Sequence, residues 1–234
     1  MTHKVFKSSV IAIVSFFFIN SVADESTENT DSIYTLAEPI FHFVTEKKQI
    51  KIKGKNSYSN KGLDYIIRNP EVNIDNPNFL IDINSLKAKY NKKLKIIEFQ
   101  NSVKLVASAH SDDLKLETEE LFLDLDNENI SSTRKVLASL NNLEVNSIGI
   151  DLMQREEGFE AKFHKGNFQL EFQGSVHRGY ADEIIVLANT NKLIMEGEAY
   201  FNQDGFIIQS DLIHYDLEEN KIIKSINSKI QNST

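Results

Sequence analysis

The sequence predicts an all-β protein, a long stack of antiparallel hairpins with two open ends. Three observations predict it. Short segments in which apolar and polar residues alternate at period two dominate the sequence. Beyond the N-terminal segment, no stretch keeps apolar residues at i, i+3, i+4 and i+7 over three turns. Polar turn clusters starting at Asn91, Asp126, Gln154, Ala188 and Leu217 are separated by 35, 28, 34 and 29 residues, the spacing of a loosely repeating hairpin unit.

Residues 1–23 read as an export signal, a helix preceding the β structure. Lys4 and Lys7 give it a positive start, residues 10–19 an apolar run, and Ser21-Val22-Ala23 the small residues a signal peptidase reads. The run is shorter than the roughly 20 residues of a membrane span, which favours cleavage after Ala23. The alternative is an uncleaved anchor stretching from Val5 to Val22. Residues 24–33 are polar and acidic, the composition of a disordered linker. No later segment is apolar enough to span a membrane.

The strands follow in order. Val72 to Ile74 is bracketed by Asn69-Pro70 and Asn76-Pro77, so this strand belongs at an edge or a bend. Ile96-Ile97 breaks alternation, which predicts a bulge there. Leu121, Leu123 and Leu125 form one apolar face, and so do Ile148, Ile150 and Leu152. Phe159, Ala161 and Phe163 continue the pattern, followed by Phe168, Leu170 and Phe172, and by Leu193, Met195, Gly197, Ala199 and Phe201. Asp204-Gly205 is the strongest hairpin signal, because glycine takes φ > 0 without steric cost.

Composition excludes several kinds of chemistry. There is no cysteine, hence no disulfide, thiolate nucleophile or cysteine-based zinc site. The six histidines are His3, His42, His110, His164, His177 and His214, and no pair has the spacing of a zinc-protease helix. His110-Ser111-Asp112 has the letters of a catalytic triad, but triads assemble in space, so the stretch reads as a loop. No nucleophile elbow, phosphate-cradling glycine loop or calcium-binding loop occurs. The sequence therefore predicts a non-enzyme without metal or cofactor.

Charge is unevenly distributed. Residues 46–95 carry 12 Lys/Arg against 5 Asp/Glu, whereas residues 96–234 carry 12 against 24. Solvated strand faces account for much of this. The sharper reading is a basic end turned toward an anionic surface or an acidic partner. The net charge of −8 argues against nucleic-acid binding.

The C-terminal hairpins carry a more specific signature. Residues 179–187 open with Gly179-Tyr180-Ala181-Asp182; Met195-Glu196-Gly197-Glu198-Ala199 follows a turn; then comes a strand bearing Asp211, Tyr215 and Asp216. Over about residues 172–228 this resembles the OstA-like module shared by the lipopolysaccharide-transport proteins LptA and LptC and the periplasmic part of LptD. Upstream, Tyr34, Pro39-Ile40-Phe41-His42-Phe43, Ile50-Lys51-Ile52-Lys53-Gly54 and Asp64-Tyr65-Ile66-Ile67-Arg68-Asn69-Pro70 resemble the opening strands of LptC. The division that results is an LptC-like β segment at 34–170 running into an OstA/LptA-like segment at 171–234. The extra C-terminal module and the cleavable signal depart from LptC; the long N-terminal part departs from LptA.

The resemblance implies a twisted β-jellyroll whose interior holds the acyl chains of lipid A. It implies partners of three kinds: lipopolysaccharide, an inner-membrane lipid-export complex that supplies the energy, and other Lpt-type jellyrolls, or further copies of the chain, joined head to tail through edge strands in the periplasm. Unpaired N–H and C=O groups at sheet edges suit such joining. The groove-lining candidates are Phe159, Phe163, Phe168, Phe172, Ile184, Val186, Leu193, Met195, Ala199, Phe201 and Leu212. The competing expectation is a filled β sandwich that binds only proteins, through its edges.

Overall fold

A computed structural model describes residues 11–14 and 33–232, apart from 45–47, 61–63, 77–78, 110–111, 128, 156–157 and 189. Most of the signal segment 1–23, nearly all of the linker 24–33 and the pair His110-Ser111 lie outside the described residues. No helix occurs among the described residues. In place of the expected signal helix, Ile11–Val14 form a short strand, β1, on β3 (Ile40–Val44).

All the strands are antiparallel, and each rung of the stack is one chain segment folded across two layers. In the N-terminal part the segment is broken at the fold. β2 (Ile33–Ala37) leads through Glu38-Pro39 into β3, and β4 (Gln49–Lys53) leads through Gly54-Lys55 into β5 (Asn56–Asn60). β6 (Asp64–Arg68) turns at Asn69-Pro70 into β7 (Glu71–Asn76), and β8 (Phe79–Asn84) turns at Ser85-Leu86 into β9 (Lys87–Asn91). β3, β4, β7 and β8 pair in one layer; β2, β5, β6 and β9 pair in the other.

From β10 (Ile96–Ala109) onward the rungs are unbroken strands that kink in the middle. They are β11 (Asp112–Asp124), β12 (Asn129–Leu140), β13 (Leu143–Arg155), β14 (Gly158–Phe172), β15 (Ser175–Leu187), β16 (Lys192–Gln203) and β17 (Phe206–Asp216). The N-terminal half of β10 pairs with β9 and its C-terminal half with β8, so one strand serves both layers. The last rung, β18 (Lys221–Ile226) and β19 (Lys229–Asn232), divides between the layers again, both pieces pairing with β17.

The kinks stack into a corner. Register slips fall at 100–103 in β10, 118–122 in β11, 132–135 in β12, 180–183 in β15 and 196–199 in β16. Left-handed residues mark the same line: Glu38, Asn69 and Asn101 are 31 and 32 residues apart, and Lys165, Gly197 and Asn227 are 32 and 30 apart. The corner is stitched by backbone hydrogen bonds, including Lys55 N–H to the Arg68 carbonyl at 2.9 Å and Asn69 N–H to the Leu86 carbonyl at 2.9 Å. Each repeat of about 30 residues in the sequence is thus two folded rungs. The five turns recognised there lie in one row, at the edge of the second layer away from the corner. The alternate row holds turns such as Asp204-Gly205, where both residues have positive φ, as a two-residue hairpin turn requires.

Two expectations are corrected by these slips, and a third is met in one of its two forms. The bulge in β10 is at Asn101-Ser102, and Ile96-Ile97 keep regular register with Asp124 and Leu123. Ile148 is 63% exposed, because Gly149 (φ +108°) reverses the parity between it and Ile150. β7 does follow a bend but is no edge strand: it lies between β4 and β8.

Candidate functional site: the interior between the two layers

Cross-strand registers line the inside of the stack with rows of apolar side chains. In the first layer, Phe41, Ile52, Val72, Ile83 and Leu105 are successive partners. The row continues through Leu116, Ala138, Val145, Phe168, Gly179, Phe201 and Ile208 to Ile230 in the last rung. In the second layer, Tyr65, Tyr90, Ile97, Leu123, Ile130 and Leu152 lead to Ala161, Val186, Leu193, Tyr215 and Ile222. Such direct partners on one face are the unit of sheet stabilisation.

The two rows meet face to face. The Phe41 ring lies 5.3 Å edge-on from Tyr65, and Phe43 lies 5.3 Å from Tyr90. Near the other end Phe201 meets Tyr215 at 5.0 Å, again edge to face. Edge-to-face contact is the favoured geometry of aromatic quadrupoles. One contiguous core therefore runs from Phe41 to Tyr215. At Gly179 it depends on a missing side chain: a Cβ there would stand 2.5 Å from the Phe168 ring.

The structure places the sequence candidates as follows. Phe159, Phe163, Phe168, Ile184, Val186, Leu193, Met195, Ala199 and Phe201 are all buried in this core. Phe163, Ile184, Met195 and Ile213 form one line across four strands. Phe172 is half-buried, at the end of β14 beside the turn to β15. Leu212 is half-buried and off the inward row, because the kink at 210–212 hands the inward positions to Ile213 and Tyr215. Sequence reasoning missed those two, and it also missed the N-terminal half of the interior, where Phe41, Phe43 and Tyr90 carry the alternation signal on strands of only five residues.

A few polar groups interrupt the apolar lining. His177 is fully buried and neither ring nitrogen has a hydrogen-bond partner; its ring lies 6.1 Å from Phe201. The hydroxyls of Ser57 and Ser59, both buried, also lack partners. Tyr215 is satisfied, its hydroxyl bonding the Asn220 side-chain oxygen. Burial, aided by the charges of Asp204 and Asp216, raises its phenol well above the ordinary range. No cluster that could hold a metal ion occurs among the described residues.

The interior ends in the open. Ile230 continues the first-layer row but is 69% exposed, since no described strand lies beyond β19. The second-layer row ends in Ile222, and Ile223 beside it is half exposed.

A sequence model of the family described as "Lipopolysaccharide-assembly, LptC-related" matches residues 45–162. The chain belongs to the LptC-related family. The match takes in half of its length, ending within β14. Membership makes this LptC-related chain a non-enzymatic component of lipopolysaccharide transport. No curated protein matches it. Among solved structures it is similar to LptH, described as the LptA-homologous periplasmic component of the conserved lipopolysaccharide transport device from Pseudomonas aeruginosa. That likeness has 13% identity and a TM-score of 0.35, covering 64% of this chain and 92% of LptH. No helix among the described residues is long and apolar enough to cross a membrane.

Proposed function

We propose that this protein carries the acyl chains of lipopolysaccharide between its two layers and passes them on through its open ends. The single observation that carries the reading is the pair of inward apolar rows, the first running from Phe41 and the second from Tyr65 to the last rung, where Ile230 is exposed. An apolar channel suits acyl chains, whose transfer out of water is worth about 0.8 kcal/mol per buried CH₂. The lining would comprise Phe159, Phe163, Phe168, Ile184, Val186, Leu193, Met195, Ala199 and Phe201, with Ile213 and Tyr215 in the positions first assigned to Leu212. Phe172 would stand at the mouth. The unpartnered polar atoms of His177, Ser57 and Ser59 support this reading, since buried polar groups normally find partners and an amphiphile's ester, amide or hydroxyl groups would provide them.

The segments 34–170 and 171–234 would act as one conduit. Its exposed last rung, β18 and β19, would add a strand of another jellyroll of the pathway, or of a second copy, and an inner-membrane export complex would drive the flow. The chain would work in the periplasm after signal cleavage, or tethered by residues 5–22; N-terminal sequencing of the mature protein separates these.

A second reading is favoured by one observation: the nine buried candidates are packed with almost no exposure, as in a filled sandwich that binds only proteins. Photo-crosslinkers at Phe163 and Phe201, with one at the outward-facing Lys162 as control, distinguish the two. The groove reading expects lipopolysaccharide adducts at the inward positions and none at Lys162. Adducts absent from both inward positions, together with no lipopolysaccharide retained in native mass spectrometry, would leave the filled adaptor.

A further inference from the structure

The groove uses the inside of the stack, which leaves the basic excess of residues 46–95 without a role. The fold gathers part of that excess at one outward place. On the outer face of the second layer β5, β6 and β9 lie side by side, with Asn56 opposite Arg68 and Arg68 opposite Lys87. Lys55 joins them from the corner, where its amide is held by the Arg68 carbonyl. These three cations border a single cleft of about 590 Å³, together with Tyr58 and the corner amides Asn69 and Asn101. No acidic side chain lines it.

The arrangement is unfavourable as it stands. Like charges directly opposite one another on adjacent strands destabilise a sheet. On the same face Lys89 is paired, with Asp64 at 3.5 Å. Lys55, Arg68 and Lys87 make no ion pair among the described residues. A guanidinium fork and two ammonium groups around a concave space, with neutral amides to bond oxygen and a tyrosine ring beside them, match the needs of a phosphate carried on a small polar group. The volume falls within the roughly 300–1,000 Å³ of small-ligand sites, and concavity suits a discrete headgroup better than an extended acidic peptide.

We propose that this outer corner cleft binds a phosphate-bearing polar group, with Arg68 and Lys87 clamping the phosphate and Lys55 closing over it. The phosphate could belong to a lipid headgroup or to a soluble phosphate ester. The site is independent of the groove, because its residues face outward where the groove rows face inward.

The test uses the full chain and two charge-matched double variants. One is Arg68→Gln with Lys87→Gln. The other is Lys92→Gln with Lys93→Gln, on the exposed turn after β9. Each is titrated with glycerol 1-phosphate in solution and with vesicles of phosphatidylglycerol and phosphatidylethanolamine, against vesicles of phosphatidylcholine alone. The cleft variant is expected to lose at least about tenfold in affinity, and the turn variant less than about twofold. Saturable binding of glycerol 1-phosphate assigns a soluble ester; binding only to the anionic vesicles assigns a lipid headgroup. Equal loss in both variants would reduce the effect to net charge and overturn the site. So would absence of binding in every arm, or tighter binding of a polyglutamate peptide than of phosphate. Should the double variant unfold, NMR shifts on the unsubstituted chain decide: phosphate must perturb Tyr58, Asn69 and Asn101, and perturbations confined elsewhere refute the proposal.

Discussion

The N-terminal and C-terminal halves of the stack build the same folded rung in different ways. Before β10 each rung is two strands of five or six residues, parted by Glu38-Pro39, Gly54-Lys55, Asn69-Pro70 or Ser85-Leu86. From β10 to β17 each rung is one strand of 11 to 15 residues, most of them with a register slip at the corner, and the last rung is divided again. Proline has no N–H for the ladder, so Pro39 and Pro70 end pairing where they stand. A bulge gives up less, since it leaves one residue unpaired and lets the strand resume on the second layer. The difference teaches that the corner is the constant element and continuity of the strand is optional. Both solutions deliver alternate side chains to the same interior.

The comparison is tested most strongly by emptying the core on each side. Phe163 is fully buried in the unbroken half, and Phe163→Ala should cost about 3–5 kcal/mol. Phe41 is equally apolar and nearly as buried, but it lies on a five-residue strand packed against Tyr65 and Tyr90. Short rungs joined at a proline can relax around a cavity, so Phe41→Ala should fall near the bottom of that range. Urea unfolding of both variants measures the gap. An equal or greater cost at Phe41 would mean that broken corners do not soften the N-terminal half.

What could be read from the sequence divides along the same line. Alternation identified the long strands and most of the inward residues between 159 and 201, because period two survives wherever the strand is regular. Asp204-Gly205 announced its turn chemically. The corner left little trace. Glu38, Lys165 and Glu198 hold positive φ without being glycine or asparagine, so no residue type marks them. Each unannounced slip also moves the residues beyond it to the opposite face, which is how Ile148 and Leu212 came to be placed inside. The basic excess was visible in composition, yet its convergence on one cleft needed the register of β5, β6 and β9.

A smaller effect is expected at the corner itself. Gly149 has φ +108°, and a Cβ there would stand 2.8 Å from the Ser132 carbonyl oxygen. Gly149→Ala should therefore cost about 1–3 kcal/mol, from backbone strain and the clash together. Asn69, at a broken corner with φ 47°, already occupies the left-handed region that asparagine tolerates. Asn69→Gly should change stability by less than about 1 kcal/mol, the relief of strain being offset by a more flexible unfolded chain. Thermal unfolding of the pair compares a bulged corner with a proline corner. A tolerated Gly149→Ala would show that the bulge has a second accessible geometry.

At neutral pH the last difference vanishes, and it emerges only in alkali. Among the described residues each half has one tyrosine whose phenol is raised: Tyr90 by burial and by the charges of Tyr65 and Asp126, Tyr215 by burial and by Asp204 and Asp216. A raised acid keeps its proton when folded at a pH where the unfolded chain has lost it. Below the unfolded value of about 10 both states are protonated and stability is intact. Above it the unfolded state gains by ionising, so stability falls as pH climbs, until the folded phenols ionise as well. Tyr215→Phe should flatten the part of that decline owed to the C-terminal half, and Tyr90→Phe the part owed to the N-terminal half. Urea midpoints followed from pH 8 to 11.5 would record both slopes. A Tyr215→Phe variant declining as steeply as the parent would mean that this phenol meets water in the folded chain, which would reopen the packing of Phe201 against Tyr215 near the C-terminal end of the interior.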